Sequence, residues 1–497
     1  MPPIRIFTVP SLAAACLYLG LGVALAATPA LAQAPAEGPA EEAIRFTADS
    51  GESVEALQGY IEVPEDRSDP DSRTIRVSYI RFPATGETAG PPIVYLAGGP
   101  GGSGSGTAEG RRFPLFMAMR QHGDVIAFDQ RGTGHSTPLP RCTSSVTVPE
   151  TQAVSDAAYA QLYRDAVEEC GQFWRGEGIA IEGYTTAETV ADISALRAHL
   201  GAETVSLWGI SYGSHVALAA LKDIPDEIDR VILASAEGLD QTVKMPAFTD
   251  AYFARLQAAI DSQPEARAAY PDIAGTMRRV HARLEAEPMM LAIPQADGSS
   301  VPFLLQRRHM QEFASALISD PHYAAILLAL YASLDAGDPA LAIGLLQRFY
   351  TPGEPITLSA MPTAMDLASG IGADRLAEFR RQAQTGLIGQ YLNHPMPQIA
   401  GAWNGFDLGE DFRTAPTGNT PVLLLTGTLD GRTYLEGQAA AVSGLANVTR
   451  VIVRNAGHNL FMSSPQVHEA MHRFMRGEDV GVEEIVVEMW DFMEVGF

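Results

Sequence analysis

Ser211 stands between two glycines in Gly209-Ile210-Ser211-Tyr212-Gly213. A serine hydroxyl is a weak nucleophile at neutral pH. It attacks a carbonyl only with a base in hydrogen-bond reach and a carboxylate to orient that base. The flanking residues supply the setting such a serine needs: an apolar run at 204–208 precedes it and a helix-like stretch at 214–221 follows. Strand, tight turn and helix hold the hydroxyl exposed and aim the first helical amides at developing negative charge. Asp430 follows the apolar run 422–429, and His458 follows 451–457. Each therefore sits just past the end of a strand, in the order serine, acid, histidine. That position singles out His458 among eleven histidines. Asp407 and Asp411 come before the strand and are set aside. The chemistry this set predicts is acyl transfer through an acyl-serine, with Ser211 as nucleophile, His458 as base and Asp430 orienting it, and with no cofactor.

Such a reaction needs donors for an oxyanion. One is the amide of Tyr212, the residue after the nucleophile. The other is expected from the loop Gly98-Gly99-Pro100-Gly101-Gly102, with Gly99 preferred and Gly98 second, because glycine lets backbone approach a substrate closely. No Gly-Lys-Ser/Thr follows, so this is not a phosphate loop. His468-Glu469-Ala470-Met471-His472 fits the zinc pattern H-E-x-x-H. The segment falls where a closing surface helix is expected and has no third ligand nearby in sequence, so no metal is assigned.

The elements that must position these residues alternate. Short apolar strands at 92–96, 124–128, 204–208, 230–234, 421–426 and 448–453 are separated by helical stretches. The helix expected at 187–200 opens with a capping box of Thr185 and Glu188. Strands apolar on both faces indicate a mostly parallel, doubly wound α/β sheet covered on both sides. An opening hairpin is expected at 60–64 and 74–82. Helical periodicity dominates 237–415, which is too long for a structureless loop and is read as a helical cap inserted into the core. The organisation expected is thus an export signal at 1–32, a linker at 33–54, core at 55–236, cap at 237–415 and core again at 416–497, whose last twenty residues have no evident role.

The whole chain has 497 residues, 46% hydrophobic and 19% charged, with mean hydropathy +0.02 and a formal charge of −25. Such acidity repels phosphate backbones and argues against nucleic acid as a partner. Arg5, an uncharged apolar stretch at 12–27 and Ala30-Leu31-Ala32 form a cleavable export signal; an uncleaved anchor or a lipid on Cys16 are the alternatives. Cleavage would leave no membrane span and place the protein in the periplasm or medium. Two cysteines then remain, Cys142 and Cys170, which in an oxidising compartment form a disulfide or else stay as two buried thiols.

Four motifs together resemble the proline iminopeptidase and tripeptidyl aminopeptidase group of α/β-hydrolases. They are Ala-Gly-Gly-Pro-Gly-Gly-Ser at 97–103, Asp-Gln-Arg-Gly-Thr-Gly-His-Ser at 129–136, Gly-Ile-Ser-Tyr-Gly-Ser at 209–214 and Gly-Thr-Leu-Asp-Gly-Arg-Thr at 427–433. The resemblance covers about 55–240 and 415–475. Val63-Pro64-Glu65-Asp66 and the cysteine pair look more like the exported tripeptidyl aminopeptidase branch. The resemblance implies an α/β-hydrolase core and hydrolysis at the free N-terminus of peptides beneath a cap whose acidic residues meet the α-amine; an esterase on the same triad is the alternative. Many iminopeptidases carry His where this chain has Ala97. Glu237, at the start of the cap, reads either as a ligand for a substrate ammonium or as a solvated cap residue. Asp129 and Arg131 are expected to pair with each other and hold the loop beneath the site.

Overall fold

A computed structural model describes residues 41–87 and 90–495 of the protein. The expected export signal and the linker up to residue 40 lie outside the described residues. Strands β1 (Glu42–Thr47), β2 (Ser53–Pro64) and β3 (Thr74–Phe82) pair antiparallel in succession. Next come β4 (Ile93–Leu96), β5 (Val125–Phe128), the short β6 (Cys142–Thr147), β7 (Val205–Ser211) and β8 (Ile228–Ala236). Then follow β9 (Met289–Pro294), β10 (Ser300–Leu305) and β11 (Pro355–Leu358), and finally β12 (Val422–Gly427), β13 (Val448–Arg454) and β14 (Glu484–Val486). Ten of these form one sheet in the order β1-β2-β3-β5-β4-β7-β8-β12-β13-β14. Pairing is antiparallel from β1 to β5 and parallel from β5 to β14.

The two-period of a strand explains why this sheet needs apolar residues throughout. Val94, Leu96, Leu207, Leu233 and Leu424 point into one core, against the helices Thr186–His199 and Tyr212–Asp223. Tyr95, Trp208, Ile232, Leu423 and Leu425 point into the other, against Phe113–Met119 and Pro465–Met475. The helix Thr186–His199 begins as expected, with Thr185 Oγ1 accepting from the Glu188 amide. The Glu188 carboxylate goes instead to Arg67.

The region 237–415 differs from a purely helical cap. Helices such as Pro246–Asp261, Ile273–Ala286, Arg307–Leu317 and Pro321–Asp335 pack on one another through Leu256, Val280, Met310 and Leu330. They are joined by a β9–β10 hairpin and by β11, which pairs antiparallel with β6. That pairing draws the segment from β6 through the helix Asp156–Gly176 onto the cap: Cys142, Val167 and Trp174 share a core with Ile356, Leu358 and Trp403. The expected boundary at 236 therefore moves, because part of 55–236 buries its apolar face against the insertion. Cys142 and Cys170 are joined as a disulfide across this unit, with Cα atoms 5.6 Å apart. The expected linker to residue 54 is also shorter, since β1 and the start of β2 occupy its end.

The C-terminal residues extend the sheet edge as β14 and then cross to the cap. There Phe492 is fully buried, and Gln263 bonds the Trp490 carbonyl and the Phe492 amide. No helix among the described residues is long and apolar enough to cross a membrane.

Candidate active site

Ser211 ends β7 and begins the helix Tyr212–Asp223, with φ 55° and ψ −128°. A non-glycine residue at positive φ stores strain that the surroundings must hold. The turn is held by contact. A Cβ on Gly213 would lie 2.0 Å from the Leu96 carbonyl oxygen, so only glycine lets the helix pass that close to β4. Ser214 Oγ donates to the Ser211 carbonyl and accepts from the Glu237 amide at 2.9 Å, clamping the turn to the end of β8.

Asp430 is buried and lies just past β12. Its carboxylate accepts from the amides of Arg432 (2.8 Å) and Thr433 (2.9 Å) and from Thr433 Oγ1 (2.6 Å). His458 follows β13 and sits with Nδ1 3.1 Å from both Asp430 oxygens. An ionised carboxylate only accepts, so Nδ1 carries the proton and Nε2 is left as the ring's acceptor. Burial pushes the Asp430 carboxyl up, but the His458 charge and the bonds from His458 and Thr433 outweigh it and hold the group below the usual range. The His458 backbone is fixed as well: its amide donates to the Ser319 carbonyl at 2.8 Å, and Ser235 Oγ donates to its carbonyl at 2.8 Å. The ring's bonds go to Asp430 and Thr433, and none joins it to Ser211 Oγ among the described residues. Sites of this kind tighten when substrate is in place.

Ser211 and His458 line one cavity of about 670 Å³, together with Gly98, Gly99, Glu237 and Lys244. Gly98 passes against Ser211: a Cβ there would meet Ile210 O at 2.9 Å and Ser211 Cβ at 3.0 Å. The Tyr212 side chain is turned away into the core, 3.3 Å from Thr186 Oγ1, so only its backbone is available at the head of the helix.

Glu237 is not solvated. It is buried and pairs with Lys244 Nζ at 2.7 Å. Asp366 lies in the same field; burial and the Glu237 charge push it up to about 7. Asp129 and Arg131 do not pair with each other. Asp129 holds Ser105 and the His135 amide, whereas buried Arg131 pairs with Asp192 at 2.7 Å and donates to the Glu65 and Gly183 carbonyls. The two ends of the H-E-x-x-H segment face different partners. His468 Nε2 bonds the Phe461 carbonyl, and His472 Nδ1 meets Gln121 and His122.

Sequence reasoning missed several groups. Thr433 was legible as part of the 427–433 motif but had no role until its hydroxyl was seen on Asp430. Glu312, on the cap helix Arg307–Leu317, lines the cavity with one carboxylate oxygen buried and without a partner. Burial, only partly offset by Arg308, pushes it up to about 7. His394, also lining the cavity, has both ring nitrogens buried and unpartnered. Nothing in the local sequence marks either one.

Residues 91–319 match the family described as the alpha/beta hydrolase fold, and the chain is an α/β-hydrolase by fold. Residues 402–483, which carry Asp430 and His458, match the family described as TAP-like protein. Serine protease Hip1 of Mycobacterium tuberculosis is 30% identical over 187 residues, 36% of each chain. Tripeptidyl aminopeptidase of Streptomyces coelicolor is 30% identical over 196 residues, 36% of this chain and 34% of that one. Carboxylesterase B of Mycobacterium tuberculosis is 31% identical over 134 residues, 25% of this chain and 26% of that one. The matched stretch thus spans about a third of the length of the first two relatives.

Proposed function

We propose that the protein is a serine hydrolase that releases residues or short peptides from the free N-terminus of peptides. The observation that carries this reading is the Asp430–His458 pair beside the cavity that Ser211, held at positive φ, also lines. In the reaction Ser211 Oγ attacks the carbonyl while His458 Nε2 takes its proton. The Gly99 and Tyr212 amides receive the oxyanion. His458 hands the proton to the leaving amine, and water then repeats the sequence on the acyl-enzyme. Asp430 keeps Nδ1 protonated and stabilises the imidazolium.

The aminopeptidase reading draws on the relatives' names and on the cap side of the cavity. Glu312 and His394 present unpartnered acceptors there, which an ammonium group would satisfy. Glu237, already paired with Lys244, is a weaker ligand for an amine than its position in the sequence suggests. A carboxylesterase would use the same triad, and one relative bears that name. The test is hydrolysis of free and N-acetylated Pro, Ala and Ala-Ala-Pro amides beside short acyl esters, with Ser211→Ala as control. Cleavage of free but not acetylated amides supports the reading; cleavage of esters alone overturns it.

We also propose export with removal of residues 1–32, supported by the pattern of that segment and by the Cys142–Cys170 disulfide, a bond of oxidising compartments. N-terminal sequencing of protein recovered outside the cytoplasm tests this: a chain beginning at Gln33 is expected, and an intact Met1 refutes it.

A further inference from the structure

We propose that Arg112 receives a carboxylate on the leaving side of the scissile bond, so that the site prefers substrates whose departing amine carries an anionic group. The inference rests on the serine-hydrolase reading and adds a substrate class to it. Arg112 lies between the helices Gly104–Glu109 and Phe113–Met119 and lines the cavity that holds Ser211 and His458. Its guanidinium is fixed in place. Nη1 donates to Tyr95 OH, Nη2 donates to Asn459 Oδ1 at 3.2 Å, and the group lies 5.6 Å from the centre of the Phe461 ring. Those two bonds leave most of its five N–H donors uncommitted. No acidic side chain among the described residues pairs with it, in a chain with 59 acidic and 34 basic residues.

Other charges in the cavity show why this one is distinctive. Lys244 is neutralised by Glu237. Arg432 also lacks an acidic partner among the described residues, but its Nη1 is spent on the Ser315 carbonyl (3.1 Å) and hydroxyl (3.0 Å) of the cap. It adds positive potential. Arg112 is a preorganised fork that faces the cavity, and a planar guanidinium matches a carboxylate in two parallel bonds. The side is set by chain connectivity. Asn459, to which Arg112 is bonded, follows His458, and His458 is the group that protonates the leaving atom. A carboxylate one or two bonds beyond that atom meets Arg112, while the acyl part and its amine extend toward Glu312 on the cap. Short peptides with both termini free satisfy both ends.

The test compares two leaving groups of one shape, in which the terminal carbon lies two bonds from the departing nitrogen: Ala, Ala-Ala and Ala-Ala-Ala joined to glycine and to glycinamide. Wild-type kcat/KM is expected to favour the carboxylate by about 10- to 100-fold, the range of a charge-assisted bond. The preference should shrink with added salt and fall to near parity in Arg112→Met. Hydrolysis of the glycinamide member reports that the variant is folded, and Arg112→Gln, which keeps a donor for Asn459, replaces it if it is not. A wild-type ratio near one overturns the proposal, as does a preference that survives loss of the arginine. If wild type cleaves neither amide, the aminopeptidase reading fails on its own account, and matched acyl esters of glycolate and glycolamide decide the role of Arg112 by the same ratio.

Discussion

The hydrogen bonds around Asp430 divide its work between orientation and charge. Asp430→Asn is expected to lower kcat by about 10⁴-fold, because the asparagine N–H can donate to Nδ1 and so leave the ring proton on Nε2, where the ring cannot act as base. Thr433→Val removes one of three donors to the carboxylate besides His458 and leaves the pair in place. A drop in kcat of about 10-fold with little change in KM is expected, since one supporting bond is worth ~1–2 kcal/mol; a change confined to KM would contradict the role. Glu312 carries a second test. The unfolded carboxyl ionises near 4.5 and the folded one, held up chiefly by burial, near 7. At pH 4 both states are neutral; as pH rises between these values the unfolded state gains charge first and the folded state loses stability. Glu312→Gln should therefore raise the melting temperature at pH 8, by an amount reflecting ~2–3 kcal/mol, and leave it near wild type at pH 4. An equal shift at both pH values would show that the carboxyl is not held neutral.

At the scale of elements, the cap is assembled from two stretches of chain. The β6–β11 pairing and the core shared by Trp174 and Trp403 bind the segment after β5 to the insertion after β8. The Cys142–Cys170 bond closes a loop of 28 residues inside that unit. Reduction under native conditions is expected to cost about 3 kcal/mol, read as a lower midpoint in urea, because the open loop regains entropy in the unfolded chain. No change in midpoint would mean that the β6 segment contributes little to cap stability.

For the molecule as a whole, the C-terminal residues connect core to cap. β14 completes the sheet edge beside β13, Asn455 holds the Val487 carbonyl at 2.9 Å, and Phe492 fills the cap core. Phe492→Ala should cost about 3 kcal/mol for the cavity it leaves. Limited proteolysis should then cut first in the residues that follow β14. Wild-type resistance in the variant would show that Phe492 does not anchor the strap.

The sequence specifies the inner strands of the sheet, their order relative to the three candidate catalytic residues, and the tight turn at Ser211. Those features rest on local pattern: strand period, glycine at a tight turn, and chain order. It read β3 to the residue and placed the helix at 187–200 within one position, because apolar period and an N-cap act over a few residues. It read the ends of the core less well. β1 and β14 are edge strands with one neighbour each, so their patterns are weak. Packing in three dimensions is what pairs Glu237 with Lys244, parts Asp129 from Arg131, and brings Arg112, Glu312 and Thr433 to one cavity. Each of these depends on which distant side chain arrives opposite. Burial and charge pairing are properties of that meeting, and no spacing along the chain encodes them.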